Sequence, residues 1–265
     1  MRGGARGNMT KPLFVANWKM HGSPEVLGEW LAPLGGGACR AVACPPFPLL
    51  GEARAVLGDS DGDGDGDGGC ELGAQDCHFS EEGAFTGSVS PRLLARMGCR
   101  WVILGHSEWR RDFGDGDGGG DAAVIRAKAE AAIAAGLNPI LCLGETAEVR
   151  GSYSREVVID ALRDELAQMV PSDLGSCELA VAYEPVWAIG TGESASPVDV
   201  AEVFAVFGEF LGRGGGVSFL YGGSVSAGNA VSFLTEGGAD GLLVGGLSMR
   251  PVDLGRIFAD IGALA

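Results

Sequence analysis

Short, nearly unbroken apolar runs recur along the chain: LFVAN (13–17), RAVAC (40–44), ELGAQ (71–75), WVILG (101–105), PILCL (139–143), ELAVAY (178–183), VSFLY (217–221) and GLLVG (241–245). They show little polar alternation, which predicts parallel strands covered on both faces. Between them, apolar residues recur at helical spacing. SPEVLGEWLAPL opens with Ser23 as a predicted N-cap and Pro24 at the first helical position. DAAVIRAKAEAAIAAG stops at Gly136, and REVVIDALRDELAQMV and SPVDVAEVFAVFGEFL follow. Weaker helical patterns cover FPLLGEARAVL, SPRLLARMG, GNAVSFLTEG and PVDLGRIFADIG. Eight strand-then-helix units in 265 residues predict an α/β fold, a single (β/α)8 barrel. An open doubly wound sheet is the alternative, but no G-x-G-x-x-G follows the first strand.

Residues 1–8 read as a flexible tail, and 9–265 as one barrel domain carrying acidic Gly/Asp loop insertions at 59–69 and 114–121. The first insertion resembles the start of a calcium loop. Counting twelve positions from Asp59, Asp61 or Asp63 lands on Cys70, Leu72 or Ala74, so no register supplies the closing Glu. A solvated insertion is expected.

Composition narrows the function classes. The chain has 46 Gly but no G-X-Y period, which excludes collagen. Its 35 acidic against 19 basic residues give a net charge of -16, a field that repels nucleic acid and anionic lipid. No apolar run approaches the ~18 residues of a membrane span, and the N-terminus lacks the apolar core of a secretory signal. Cys39, Cys44, Cys70, Cys77, Cys99, Cys142 and Cys177 form no C-x-x-C pair, so reduced thiols in a cytoplasmic protein are expected, without zinc.

In a (β/α)8 barrel, chemistry gathers at the C-terminal strand ends. There the chain carries Asn17 and Lys19 (strand 1), His106, Ser107 and Glu108 (strand 4), and Glu184 (strand 6). Glycine-rich turns follow strand 7 (Gly222, Gly223, Ser224) and strand 8 (Gly245, Gly246). One cation, one imidazole and one carboxylate thus meet two turns able to cradle an anion with backbone N–H groups. Taken singly, each is a common structural residue; separate strand ends agreeing on one site is not common.

The motifs NWKM (17–20), AQDCH (74–78), GAFTG (83–87), VILGHSE (102–108), CLGET (142–146), AYEPVWAIGTG (182–192), YGGSV (221–225) and DGLLVGG (240–246) resemble the triosephosphate isomerase family, in its order and over nearly the whole chain. The resemblance implies a cytoplasmic homodimer that interconverts glyceraldehyde 3-phosphate and dihydroxyacetone phosphate through an enediol, with no metal or organic cofactor. It implies Glu184 as base, His106 as neutral electrophile, Lys19 as active-site cation, and Asn17 and Glu108 as its orienting partners. Gly190, Ser224, Gly245 and Gly246 match the phosphate ligands. Pro185, Val186, Trp187, Ala188, Ile189, Thr191 and Gly192 match the lid, whose closure shields the enediol from water. Gln75, Asp76, Thr86, Ser88 and Trp109 match the dimer contacts. An isomerase of a larger sugar phosphate, an inert barrel and a Schiff-base lyase fit these residues less well.

The chain departs from the family pattern in places. Ser88 stands where the family has Glu and Trp109 where it has Arg, two positions that form a salt bridge between subunits there. Asp76 replaces Asn, Glu193 a common Lys and Leu247 a common Ala beside the phosphate glycines. A dimer contact rewired through Trp109 is the expectation, with a weakened dimer as the alternative.

Overall fold

The computed structural model of the chain describes residues 11–58, 69–114 and 121–264. The predicted tail, nearly all of both acidic insertions and the calcium-loop register lie outside them. Eight strands, β1 (Leu13–Asn17), β2 (Arg40–Cys44), β3 (Cys70–Ala74), β4 (Cys99–Leu104), β5 (Asn138–Leu143), β6 (Leu179–Tyr183), β7 (Val217–Tyr221) and β8 (Gly241–Val244), pair in parallel in sequence order. β1 pairs with β8, Leu13 beside Gly241 and Val15 beside Leu243, and closes the barrel.

Helices cover the outside: α1 (Leu27–Leu31), α2 (Leu50–Leu57), α3 (Pro91–Arg96), α4 (Ser107–Phe113), α5 (Asp121–Ala134), α6 (Ala147–Ser152), α7 (Arg155–Met169), α8 (Pro197–Leu211), α9 (Ala230–Thr235) and α10 (Pro251–Gly262). Side chains alternate along each strand, so the sheet feeds two cores. Leu13, Val15, Val42, Cys44, Trp101, Ile103, Ile140, Cys142, Ala180, Ala182, Leu220 and Leu243 fill the barrel interior. Phe14, Val102, Leu141, Val181 and Phe219 point outward against Ile125, Leu162, Phe204 and Ile257 of the helices. Inside, the bulk of Trp101 is matched by Gly73 across the strand pair, where an added Cβ would meet Cys44 Sγ at 2.5 Å. Trp101 Nε1 donates to Glu71 Oε2 at 3.0 Å, which satisfies the one polar group of the buried indole.

The strands fall within two residues of their sequence expectations. The segment after β1 differs. SPEVLGEWLAPL splits into a 3-10 turn (Pro24–Val26), α1 and a second 3-10 turn (Ala32–Gly35). Pro33 lacks the N–H that a continuing α-helix needs. Ser23 makes no side-chain cap bond; its hydroxyl bonds Glu25 instead and draws that carboxyl below its ordinary pKa. α6 was not expected from the pattern; it is one short turn capped by Thr146, which accepts the Val149 N–H at 3.3 Å. All seven cysteines are free, and burial pushes Cys44 and Cys142 well above their ordinary pKa.

Candidate active site

The strand period that fills the barrel also aims the polar side chains above it. Asn17 continues the inward series Leu13–Val15, and Glu184 continues Ala180–Ala182. Both emerge into one cleft of about 330 Å³ at the C-terminal mouth. Lys19, His106, Ile189, Gly190, Gly192, the run Gly222–Ser226, Asn229 and the run Leu243–Leu247 complete its lining.

Lys19 is held in a left-handed backbone conformation, φ +52°, unique among the described non-glycine residues. Two side chains fix it there. Asn17 Oδ1 accepts its N–H at 3.0 Å, and Gln75 Nε2 donates to its carbonyl at 2.7 Å and to the Cys44 carbonyl at 2.9 Å. The stem then runs over Gly245, where a Cβ would lie 3.1 Å from Lys19 Cε. The ammonium reaches Glu108 Oε1 at 2.8 Å. Burial raises the Glu108 pKa, but the Lys19 hydrogen bond and charge outweigh it and leave the carboxyl below its ordinary value.

His106 ends the β4–α4 turn as the N-cap of α4, and its Nδ1 accepts the Glu108 N–H at 3.3 Å. A nitrogen that accepts carries no proton, so the ring proton sits on Nε2, which faces the cleft. Glu184 is buried, with a side chain 2% exposed. Its Oε2 accepts the Ser107 N–H at 3.1 Å. Its Oε1 lies 3.1 Å from His106 Nε2, but the ring N–H does not point at it, and Oε1 has no hydrogen-bond partner. Room for this carboxylate is made by glycine: a Cβ at Gly222 would come 2.9 Å from Glu184 Cγ, and one at Gly144 1.7 Å from its carbonyl oxygen. These glycines therefore seat Glu184, and Gly222 also opens backbone to the cleft.

Pro185 to Ala195 arch over the cleft from two fixed ends. At the first, Val186–Ala188 is a 3-10 turn, Val186 N–H donates to the Glu145 carbonyl at 3.0 Å, and Trp187 Nε1 donates to Glu145 Oε1 at 2.8 Å. Tyr183 OH donates to the same oxygen at 3.1 Å, and the Arg150 guanidinium stacks 4.4 Å from the Trp187 ring. At the second, Ala195 N–H donates to Tyr221 OH at 3.2 Å. Ser224 Oγ also ties the arch to the strand 7 turn through the Ala188 carbonyl at 2.6 Å. Between these ends, residues 190–194 are exposed, and Gly190 (φ +72°) and Gly192 (φ +80°) take conformations other residues resist.

The five expected dimer residues separate. Thr86 and Ser88 sit in an exposed loop, 81–88, between β3 and α3. Gln75 serves Lys19 as described. Asp76 binds Lys128 Nζ through both oxygens, at 2.8 and 2.7 Å, and that ammonium lies 4.1 Å over the Trp109 ring. Within this chain Trp109 thus covers the Lys128 end of a partly buried ion pair. Leu247, at the expected narrowing of the phosphate end, lines the cleft. The sequence reading passed over Glu145, Tyr183 and Tyr221 as site residues, although Glu145 stands at a strand end in a quoted motif. Among the described residues, no group of three or more His, Cys, Asp or Glu is placed to hold a metal ion.

The sequence pattern of the triosephosphate isomerase family matches residues 12–261. Triosephosphate isomerase of Afipia carboxidovorans is 41% identical over 92% of this chain and 94% of its own length. That of Alcanivorax borkumensis is 41% identical over 90% and 93%. The crystal structure of triosephosphate isomerase from Bartonella henselae superposes with a TM-score of 0.78 at 34% identity, covering 95% of this chain and 98% of that one.

Proposed function

The chain belongs to the triosephosphate isomerase family, and from that premise we propose how its own residues interconvert D-glyceraldehyde 3-phosphate and dihydroxyacetone phosphate. Glu184 Oε1 removes the proton from the carbon next to the substrate carbonyl. His106 Nε2–H supplies a proton to the carbonyl oxygen as negative charge builds on it, and the enediol forms. Glu184 then returns a proton to the neighbouring carbon, and the other hydroxyl gives its proton back to His106 Nε2, which restores both groups and completes the exchange. The transfer is internal and redox-neutral. Lys19 draws charge onto the substrate oxygens, with Glu108 and Asn17 setting its position. Gly190, Ser224, Gly245 and Gly246 hold the phosphate, and the arch 185–195 closes over it to exclude water.

The observation that carries this reading is the Glu184–His106 pair: an unpartnered carboxylate oxygen 3.1 Å from an imidazole nitrogen, beside a lysine, in one cleft. An unpaired buried oxygen is unfavourable in a resting fold and useful in a base.

The working form we propose is a cytoplasmic homodimer. Three exposed apolar side chains support it: Met20, 92% exposed and next to Lys19, and Phe79 and Phe85 of the β3–α3 connection. A contiguous exposed apolar patch is a usual mark of a partner surface, and the Phe79 and Phe85 rings, 6.2 Å apart, both pack on His78. In the dimer Thr86 reaches the partner's cleft. The seven free cysteines, six of them buried, fit a reducing compartment.

The test is isomerisation of glyceraldehyde 3-phosphate by purified protein, as specific activity over a dilution series. High activity at micromolar protein that falls on dilution is expected. No activity at any concentration overturns the assigned roles. Full activity from a species that sedimentation shows to be monomeric overturns the dimer alone.

A further inference from the structure

Every polar contact that α4 makes with the cleft leaves from its first turn: the His106 ring, the Ser107 N–H on Glu184 and the Glu108 carboxylate on Lys19. Yet α4 has seven residues, and none of them is fully buried. So short a helix is marginal alone, and burial of an apolar stripe does not anchor this one. The turn that feeds it is tight. Gly105 is left-handed (φ +70°), and a Cβ there would meet Ile125 Cδ1 at 2.5 Å. Something must fix the direction in which His106 leaves this turn.

One side chain does so. Arg110 folds back beneath α4 with its side chain only 16% exposed. Nε donates to the Gly105 carbonyl at 2.7 Å, at the peptide that enters His106. Nη2 donates to the Cys142 carbonyl in β5 at 2.9 Å and lies 3.3 Å from Met169 Sδ. Nη1 pairs with Glu165 Oε1 of α7 at 2.6 Å. The three nitrogens of one rigid plane therefore bind three different elements. A lysine ammonium, a point donor on a flexible stem, cannot reproduce that fork.

We propose that Arg110 is a positioning residue for the isomerisation: its guanidinium locks the β4–α4 turn to β5 and α7, and so fixes the His106 imidazole against Glu184. It touches no substrate and acts through His106. The inference rests on the reading of His106 as the group that faces the substrate oxygen. Glu165 Oε1 accepts from Nη1 on α7, outside the strand layer, and completes the fork that holds the turn.

Three variants, Arg110→Lys, Arg110→Met and Glu165→Gln, test this, with kcat, KM and the 15N resonances of the His106 ring as readouts. Only His21, His78 and His106 contribute imidazole signals. Both Arg110 variants are expected to lose about 100-fold in kcat with KM within threefold, the effect of a reacting group displaced by about 1 Å. Their His106 Nδ1 signal should shift from that of a fixed, hydrogen-bonded acceptor towards that of a ring exchanging tautomers. Glu165→Gln keeps an oxygen acceptor for Nη1, so the resonance should stay in place and kcat should fall far less. Arg110→Lys retains the charge, and so decides the matter if Arg110→Met does not fold. A folded Arg110 variant with wild-type kcat and an unmoved His106 signal overturns the proposal, even if its melting temperature falls. An inactive wild-type protein whose His106 signal still moves in the variants would sink the catalytic reading and leave the positioning role standing.

Discussion

Glu184 Oε1 and His106 Nε2 stand 3.1 Å apart without a hydrogen bond between them, while the other carboxylate oxygen is held by the Ser107 N–H. One oxygen is anchored and the other is left unpaired. Glu184→Gln keeps an acceptor for Ser107 but removes the proposed base. It should lower kcat by ~10³-fold, within the usual span for general acid–base groups, with an unchanged melting temperature. Comparing steady-state kinetics with thermal melting checks both halves. A variant that loses both together would mean that Glu184 is structural.

Glu108 should link pH to stability with a defined sign. Its folded-state pKa lies below the ordinary value, because Lys19 outweighs the burial that raises it. Such a group stabilises the fold above its unfolded pKa, and that contribution is lost as pH falls through the folded value. The gap between wild type and Glu108→Gln should therefore be present at neutral pH and shrink below about pH 4. At its partly exposed position the gap should be under about 1 kcal/mol. Urea melts across that range measure it, and a gap that widens in acid contradicts the sign.

Tyr221 holds the far end of the arch by accepting the Ala195 N–H. Burial pushes its hydroxyl up to about 12, so it stays protonated through the working range. Tyr221→Phe leaves a buried N–H without an acceptor, a loss of ~1–3 kcal/mol that falls on the closed arch. Turnover should drop about tenfold, at 1.4 kcal/mol per decade. More of the enediol should also escape by expelling phosphate, read as inorganic phosphate released per isomerisation. Unchanged partition would show that the arch closes without this bond.

Lys128 is 7% exposed and bound by both oxygens of Asp76. Burial raises the Asp76 pKa, and Lys128 only partly offsets this. Lys128→Met abandons a carboxylate in that site and should destabilise by ~3 kcal/mol near neutrality. Because the pKa is raised, protonation restores stability: the variant should recover as pH falls through the Asp76 pKa. The double change Lys128→Met with Asp76→Asn should be more stable than Lys128→Met alone. A double-mutant cycle with near-zero coupling would mean that Trp109 alone carries the contact.

The barrel could be read from the sequence because its strands are wrapped on both sides, and a strand with two buried faces shows as a plain apolar run. Asn17 and Glu184 could be read as the polar residues at which two of those apolar runs end. The first helical segment could not, since Pro33 and the Ser23–Glu25 bond act locally against an apolar spacing that is otherwise helical. Arg110, Tyr221 and Glu145 escaped because their work is done through contacts 32, 26 and 42 residues away along the chain. The Trp109–Lys128 contact within the chain was not legible either, because it joins residues on two different helices.

Lys19 is unique among the described non-glycine residues in its left-handed backbone, and it is the residue whose ammonium faces the substrate cleft. Non-glycine residues hold such a conformation only when their surroundings impose it, at a cost of order 1 kcal/mol. The molecule thus spends folding stability at the spot where it acts. Lys19→Gly should be inactive, with relief of this strain offsetting the lost Glu108 pairing, so that it melts close to wild type. Any selection of this chain for thermal robustness alone would erode its catalyst first.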